Sequence, residues 1–229
     1  MDPSLAPIPL MIAGLLLMLV TLRRFEGFFK ENTLFLLFIA GMMLGFASTV
    51  LERVLFGMES TGLIIYMAGS AILAEGFKGV AINLARFRFK RAATFFGFGL
   101  GIGFGTTAAI APFFQFANLS YPRAIILPIT IAVVYMLLNS ATGLVLGAGS
   151  ARGATLSSLA QAFGIHAIFS LMVWLGAFFS NYQNSICAVI GITTVISAII
   201  LYVFSLRLFY WGLPDEDKKK IRRAVRKGM

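Results

Sequence analysis

Apolar stretches long enough to cross a bilayer recur from one end of the chain to the other, and that recurrence leaves few folds open to it. A helix rises about 1.5 Å per residue and needs about 20 mostly apolar residues to cross a hydrocarbon core of about 30 Å. Of the 229 residues, 59% are hydrophobic and only 12% charged, which excludes a soluble enzyme or a secreted disulfide scaffold. Cys187 is the single cysteine and His166 the single histidine. An internal disulfide and the Cys/His ligand sets of zinc fingers, haem or iron–sulfur centres are therefore excluded, and no metal or cofactor is expected. Any chemistry falls to carboxylates, amides and one imidazole.

Hydropathy predicts an all-α, polytopic membrane protein with seven transmembrane helices, at 7–22, 33–56, 62–86, 93–117, 123–148, 155–179 and 184–210. Residues 1–213 form the membrane domain and 214–229 a basic tail. The first segment lacks a basic leader and is followed by Arg23 and Arg24, so it reads as a retained span and not as a cleaved signal peptide. Placing the tail in the cytoplasm puts sixteen of the nineteen basic residues inside, with Arg53 and Arg123 outside and Lys78 within the membrane. This bias predicts an N-outside, C-inside protein of the cell membrane. The sequon Asn118-Leu119-Ser120 falls on an outer loop, in keeping with that orientation.

The tail opens with Pro214 and three acids and continues into Lys218, Lys219, Lys220, Arg222 and Arg223, the order of a short surface helix. Those five basic residues are expected to contact anionic lipid, each contributing about 1 kcal/mol near the surface. No aromatic residue interleaves the run, so nucleic acid is not an expected partner.

An ionisable group inside the membrane costs several kcal/mol unless paired or wetted, and so marks a candidate site. Glu75 and Lys78 in the third span are three residues apart and share a helical face, where they can pair. Lys78 lies about 12 Å of helix rise below Arg86, too deep to snorkel comfortably. The fifth span carries Asn139, the sixth His166 and Ser170, the fourth Thr106 and Thr107. Counted at about 1.5 Å per residue from the cytoplasmic ends, Glu75, Asn139 and His166 lie roughly 14–18 Å deep and Thr107 roughly 22 Å. Four helices thus offer polar groups at one level, and Glu75, Asn139 and His166 are expected to face one another.

The fourth span also contains Gly97, Gly99, Gly101, Gly103 and Gly105. Residues 97, 101 and 105 make one face of small residues and 99 and 103 a second, so this helix is expected to pack closely against two neighbours. Pro112 and Pro128 are expected to kink the fourth and fifth spans.

The order of these segments resembles the PrsW and YhfC families, within the superfamily of intramembrane proteases that includes the CAAX prenyl endopeptidases. The residues that carry it are Ala74-Glu75-Gly76-Phe77-Lys78, Gly101-Ile102-Gly103-Phe104-Gly105-Thr106-Thr107-Ala108, Asn139-Ser140-Ala141-Thr142-Gly143 and His166-Ala167-Ile168-Phe169-Ser170. The resemblance implies a proteolytic site of acids and histidines, with Glu75, His166 and Asn139 in catalytic positions and Lys78, Thr106, Thr107 and Ser170 supporting them. Set against that pattern, Ala74 replaces the acid usually assigned to water activation. Ala108 replaces the acid of the glycine-rich helix, Asn139 the first histidine and Ser170 the closing Asn/Asp.

Hydrolysis requires a water, a base and an oxyanion donor. With those positions replaced, the expected function is a non-catalytic membrane protein on a protease-like scaffold. It would bind lipid or another integral membrane protein, as a subunit of a complex. An active protease using Glu75 and His166 and a small transporter or proton relay are the alternatives. Retinal binding is disfavoured because the seventh span has no lysine.

Overall fold

The computed structural model describes residues 7–56, 63–87, 90, 92–115, 123–180, 184–211, 213, 216 and 219. Among them all regular structure is helical, joined by short turns, with no strand. Helix α1 (Pro7–Leu22) ends in a 3-10 turn (Arg23–Phe25), followed by α2 (Glu31–Phe56) and α3 (Leu63–Ile82). Then come α4 (Ala93–Ala108), α5 (Ala111–Gln115), α6 (Arg123–Arg152), α7 (Thr155–Ser180), α8 (Asn184–Ser205) and α9 (Leu208–Trp211). Among the described residues six stretches, in α1, α2, α4–α5, α6, α7 and α8–α9, are long and apolar enough to cross a membrane. The twenty-residue α3 carries the buried charges.

Helix α4 is the axis of the bundle, with every residue from Ala93 to Thr106 buried. Its glycines make this possible on two sides. A Cβ on Gly97, Gly101 or Gly105 would fall against backbone of α6, at the carbonyls of Gly143, Asn139 and Tyr135. A Cβ on Gly103 would strike the carbonyl of Phe38 on α2, and one on Gly99 would meet Leu34. The two glycine faces expected from spacing are thus the two faces packed on α6 and α2. Those partners reciprocate with glycines of their own, Gly41 and Gly45 on α2 and Gly143 and Gly147 on α6. Backbones that approach this closely gain van der Waals contact, which drives helix association where lipid removes the hydrophobic effect.

The outward surfaces are apolar: Val20, Val54, Val80 and Leu156 are each at least 70% exposed. Where α1 and α8 end, Phe25, Phe95, Phe98 and Phe209 pack ring to ring, with Phe25 4.9 Å and Phe95 5.1 Å from Phe209. A hydrogen bond of 2.6 Å between Thr21 and the Tyr202 hydroxyl joins α1 to α8.

Two expected spans are modified. The fourth breaks after Ala108, because Pro112 has no N–H to offer the carbonyl four residues back. The chain turns at Ala109 and Ile110 and restarts as α5, with Pro112 in its first turn, where a missing donor is tolerated. Pro128, by contrast, sits near the start of α6, which continues through it. The third span ends at Ile82 and not at 86, and the side chain of Asn83 turns back to bond the Gly79 carbonyl at 2.9 Å. The sequon at 118–120, Lys218, Lys220, Arg222 and Arg223 lie outside the described residues; Lys219 is exposed.

Candidate functional site

The polar residues that share a depth converge. Lys78 and Glu75 of α3 are three residues apart, and Nζ of Lys78 lies 2.7 Å from Oε1 of Glu75. From α6, Asn139 and Thr142 have the same spacing. Lys78 donates to Asn139 Oδ1 at 2.8 Å and to Thr142 Oγ1 at 2.7 Å. An ammonium has three N–H donors, and all three are used. The ring of Phe104 on α4 lies 5.1 Å from Nζ, an additional cation–π contact.

From α7, Nδ1 of His166 donates to the same Oε1 of Glu75 at 2.7 Å. That bond fixes the imidazole's orientation. Glu75 Oε2 has no hydrogen-bond partner among the described residues. Glu75, Lys78, Asn139, Thr142 and His166 are all at most 4% exposed. The cluster therefore joins α3, α6 and α7 through charge-assisted bonds in a medium where an unpaired charge is costly.

Beside the cluster lies a cavity of about 180 Å³. It runs from Glu52 and Arg53 near the end of α2, past Pro112 of α5, to Asn139 and His166. Its walls are mixed, with Met67, Phe104, Ile131, Val173 and Trp174 beside Thr49, Ser70 and Tyr135. Ala74, Ala108 and Ser170 also line it.

Glu75, Asn139 and His166 thus meet as expected and Lys78 joins them, while Ser170 faces the cavity. Thr106 and Thr107 do not bond to the cluster. Thr106 donates to the Ile102 carbonyl at 2.7 Å and abuts Gly14 of α1, whereas Thr107 donates to the Gly103 carbonyl. Two residues were not anticipated. Thr142 carries a signal in the sequence, since it stands three residues from Asn139 and shares its face. Glu52 lies near the end of α2. It lines the cavity and accepts a hydrogen bond from Ser48 at 3.0 Å.

Among the described residues no three His, Cys, Asp or Glu side chains converge as metal ligands would. Comparison with protein-family models, curated proteins and solved structures gives no match to this chain.

Proposed function

We propose that the chain is a non-catalytic subunit of a membrane complex. It would hold a lipid or a segment of another integral membrane protein in the cavity beside the Glu75–Lys78 cluster. In this reading α3 is a seventh crossing, and the protein sits in the cell membrane with its N-terminus outside and its C-terminus inside. The observation that carries it is the closure of the polar cluster: Lys78 spends every donor on Glu75, Asn139 and Thr142, and Glu75 is bound through one oxygen to both Lys78 and His166. An acid and a cation held together in this way make a fastening between helices. A hydrolase needs an acid presented to its water, and Glu75, whose second oxygen Oε2 is buried and without a partner among the described residues, does not line the cavity.

The resemblance to PrsW and YhfC proteins is consistent with this reading. Positions 74, 108, 139, 166 and 170, which occupy that pattern, all line one cavity, and there Ala74 and Ala108 stand where acids would be. The side chains that remain shape a binding space.

A photoreactive side chain at Val173 should cross-link to a discrete lipid or protein species in native membranes. Ala108→Phe, which fills the cavity, should abolish that adduct without lowering the unfolding temperature. Adducts at Val173 no different from those at lipid-facing Ile196 would overturn the proposal. One observation favours proteolysis as a second reading: Glu75 orients His166, and both His166 and Ser170 face the cavity. Cleavage of reconstituted transmembrane substrates that disappears in a folded Glu75→Gln variant would establish it in place of the first.

The orientation has its own test. In a Cys187→Ser background, a cysteine at Ser120 should react with an impermeant thiol reagent applied to intact cells, and one at Lys90 should not. The reverse pattern would invert the topology.

A further inference from the structure

A second pocket, of about 360 Å³, lies at the other end of the bundle from the cavity mouth, where α1 leads into α2 and α3 into α4. Lys30, Arg86 and Lys90 line it, and among the described residues no acidic one does. All three are exposed, and among the described residues none forms an ion pair; Arg86 instead lies 5.7 Å from the ring of Phe87. The pocket is otherwise walled by aromatic rings, among them Phe29, Phe87 and Phe96.

The fold builds this concentration of positive charge. Gly27 adopts φ +87°, a left-handed conformation that side-chain-bearing residues rarely take, and so turns the chain between Phe25 and α2. The turn delivers Lys30 to the start of α2, where its carbonyl accepts the first helical bond, from Leu34. Ala92, which precedes α4, also lines the pocket. The positive ends of two long helices therefore add to the field of the three side chains. The nearby acids Glu26 and Glu31 are exposed and do not line the pocket.

We propose that this pocket binds the phosphate-bearing headgroup of an anionic phospholipid. Lys30, Arg86 and Lys90 would neutralise the phosphate, and the acyl chains would run along the apolar outer surface of α2 and α3. A lipid fits better than a free phosphate because the pocket is continuous in sequence with membrane-facing apolar residues: Leu36, one turn beyond Thr33, is 60% exposed, and Leu84, two residues before Arg86, is 53% exposed. Basic loops that serve only to set topology need a count of charges on one side. They do not need three of them around one aromatic-lined hollow with no acid among its described lining residues.

The test uses the full chain in nanodiscs of phosphatidylcholine containing phosphatidylglycerol, released into mild detergent and weighed intact by native mass spectrometry. Wild type should retain one phosphatidylglycerol in preference to phosphatidylcholine. Each pocket cation removed should lower that retention about fivefold. Lys30→Gln/Arg86→Gln/Lys90→Gln should therefore lose it by about a hundredfold, while Lys218→Gln/Lys219→Gln/Lys220→Gln, which removes equal charge from the tail, should retain it. Equal loss in both triple variants would mean diffuse surface attraction and would overturn the proposal, as would no loss in the pocket triple. Millimolar inorganic phosphate that displaces the lipid completely would assign the site to free phosphate instead. Should the triple variant fail to insert, Arg86→Gln alone carries the test through its fivefold effect.

Discussion

Lys78→Met should cost about 3–5 kcal/mol of stability, the range for removing one partner of a buried ion pair. Methionine keeps most of the length and volume of lysine, so the loss would come from charge and hydrogen bonding and not from a void. Glu75 would be left with the His166 bond alone, and Asn139 Oδ1 and Thr142 Oγ1 would each lose a donor. The Thr142 bond is also charge-assisted, but it is one hydrogen bond to a cation that keeps its counter-ion, worth about 1.5–3 kcal/mol. Thr142→Val should therefore cost about half as much as Lys78→Met. The comparison decides whether the cluster acts as an ion pair or as a set of ordinary hydrogen bonds. Equilibrium unfolding in mixed micelles would measure both, and equal effects in the two variants would remove the ion pair from its central place. Replacing both charges, as in Glu75→Leu/Lys78→Met, should recover much of the loss, since apolar replacements of buried pairs are often neutral.

The all-helical build and most of the helix ends were legible because lipid leaves the backbone one economical solution, a helix of fixed length; of the seven crossings expected, six are matched by described stretches long and apolar enough to span, and α3 is not among them. The meeting of Glu75, Lys78, Asn139 and His166 was legible for a related reason: few polar residues survive in such segments, so those that do must find one another. Direction around each helix axis was less so. These helices are apolar on nearly every side and show no amphipathic stripe to say which face points inward. Thr106 illustrates the result. Its depth matches the cluster, but successive residues turn by about 100°, and it faces Gly14 on α1. The glycines of α4 did encode direction, because a face of small residues is meaningful only where another backbone lies against it. The break at Pro112 was half legible: the missing donor announces a disturbance, while its becoming a turn and a new short helix depends on what surrounds residues 109–111.

Gly101→Ala and Gly103→Ala should each destabilise by about 3 kcal/mol or more, at or beyond the upper end of the usual cost of overpacking. In an open position the same change should be neutral or stabilising by up to about 1 kcal/mol, since alanine is the better helix former. Gly76 of α3 and Gly191 of α8 supply that control, because a Cβ there meets nothing within 4 Å. At Gly101 it meets the Asn139 carbonyl and at Gly103 the Phe38 carbonyl, both rigid backbone that cannot swing aside as a side-chain tip would. Helix α4 also cannot retreat from one neighbour without advancing on the other, so the double variant should fail to fold. The two single variants should differ at the cluster. Gly101→Ala pushes on α6 at the residue that accepts from Lys78, whereas Gly103→Ala pushes on α2, which contributes nothing to the cluster's bonds. In double-mutant cycles, Asn139→Leu should therefore couple to Gly101→Ala and be additive with Gly103→Ala. Coupling of equal size at both would mean that α4 moves as a rigid body and that its two glycine faces do not act separately.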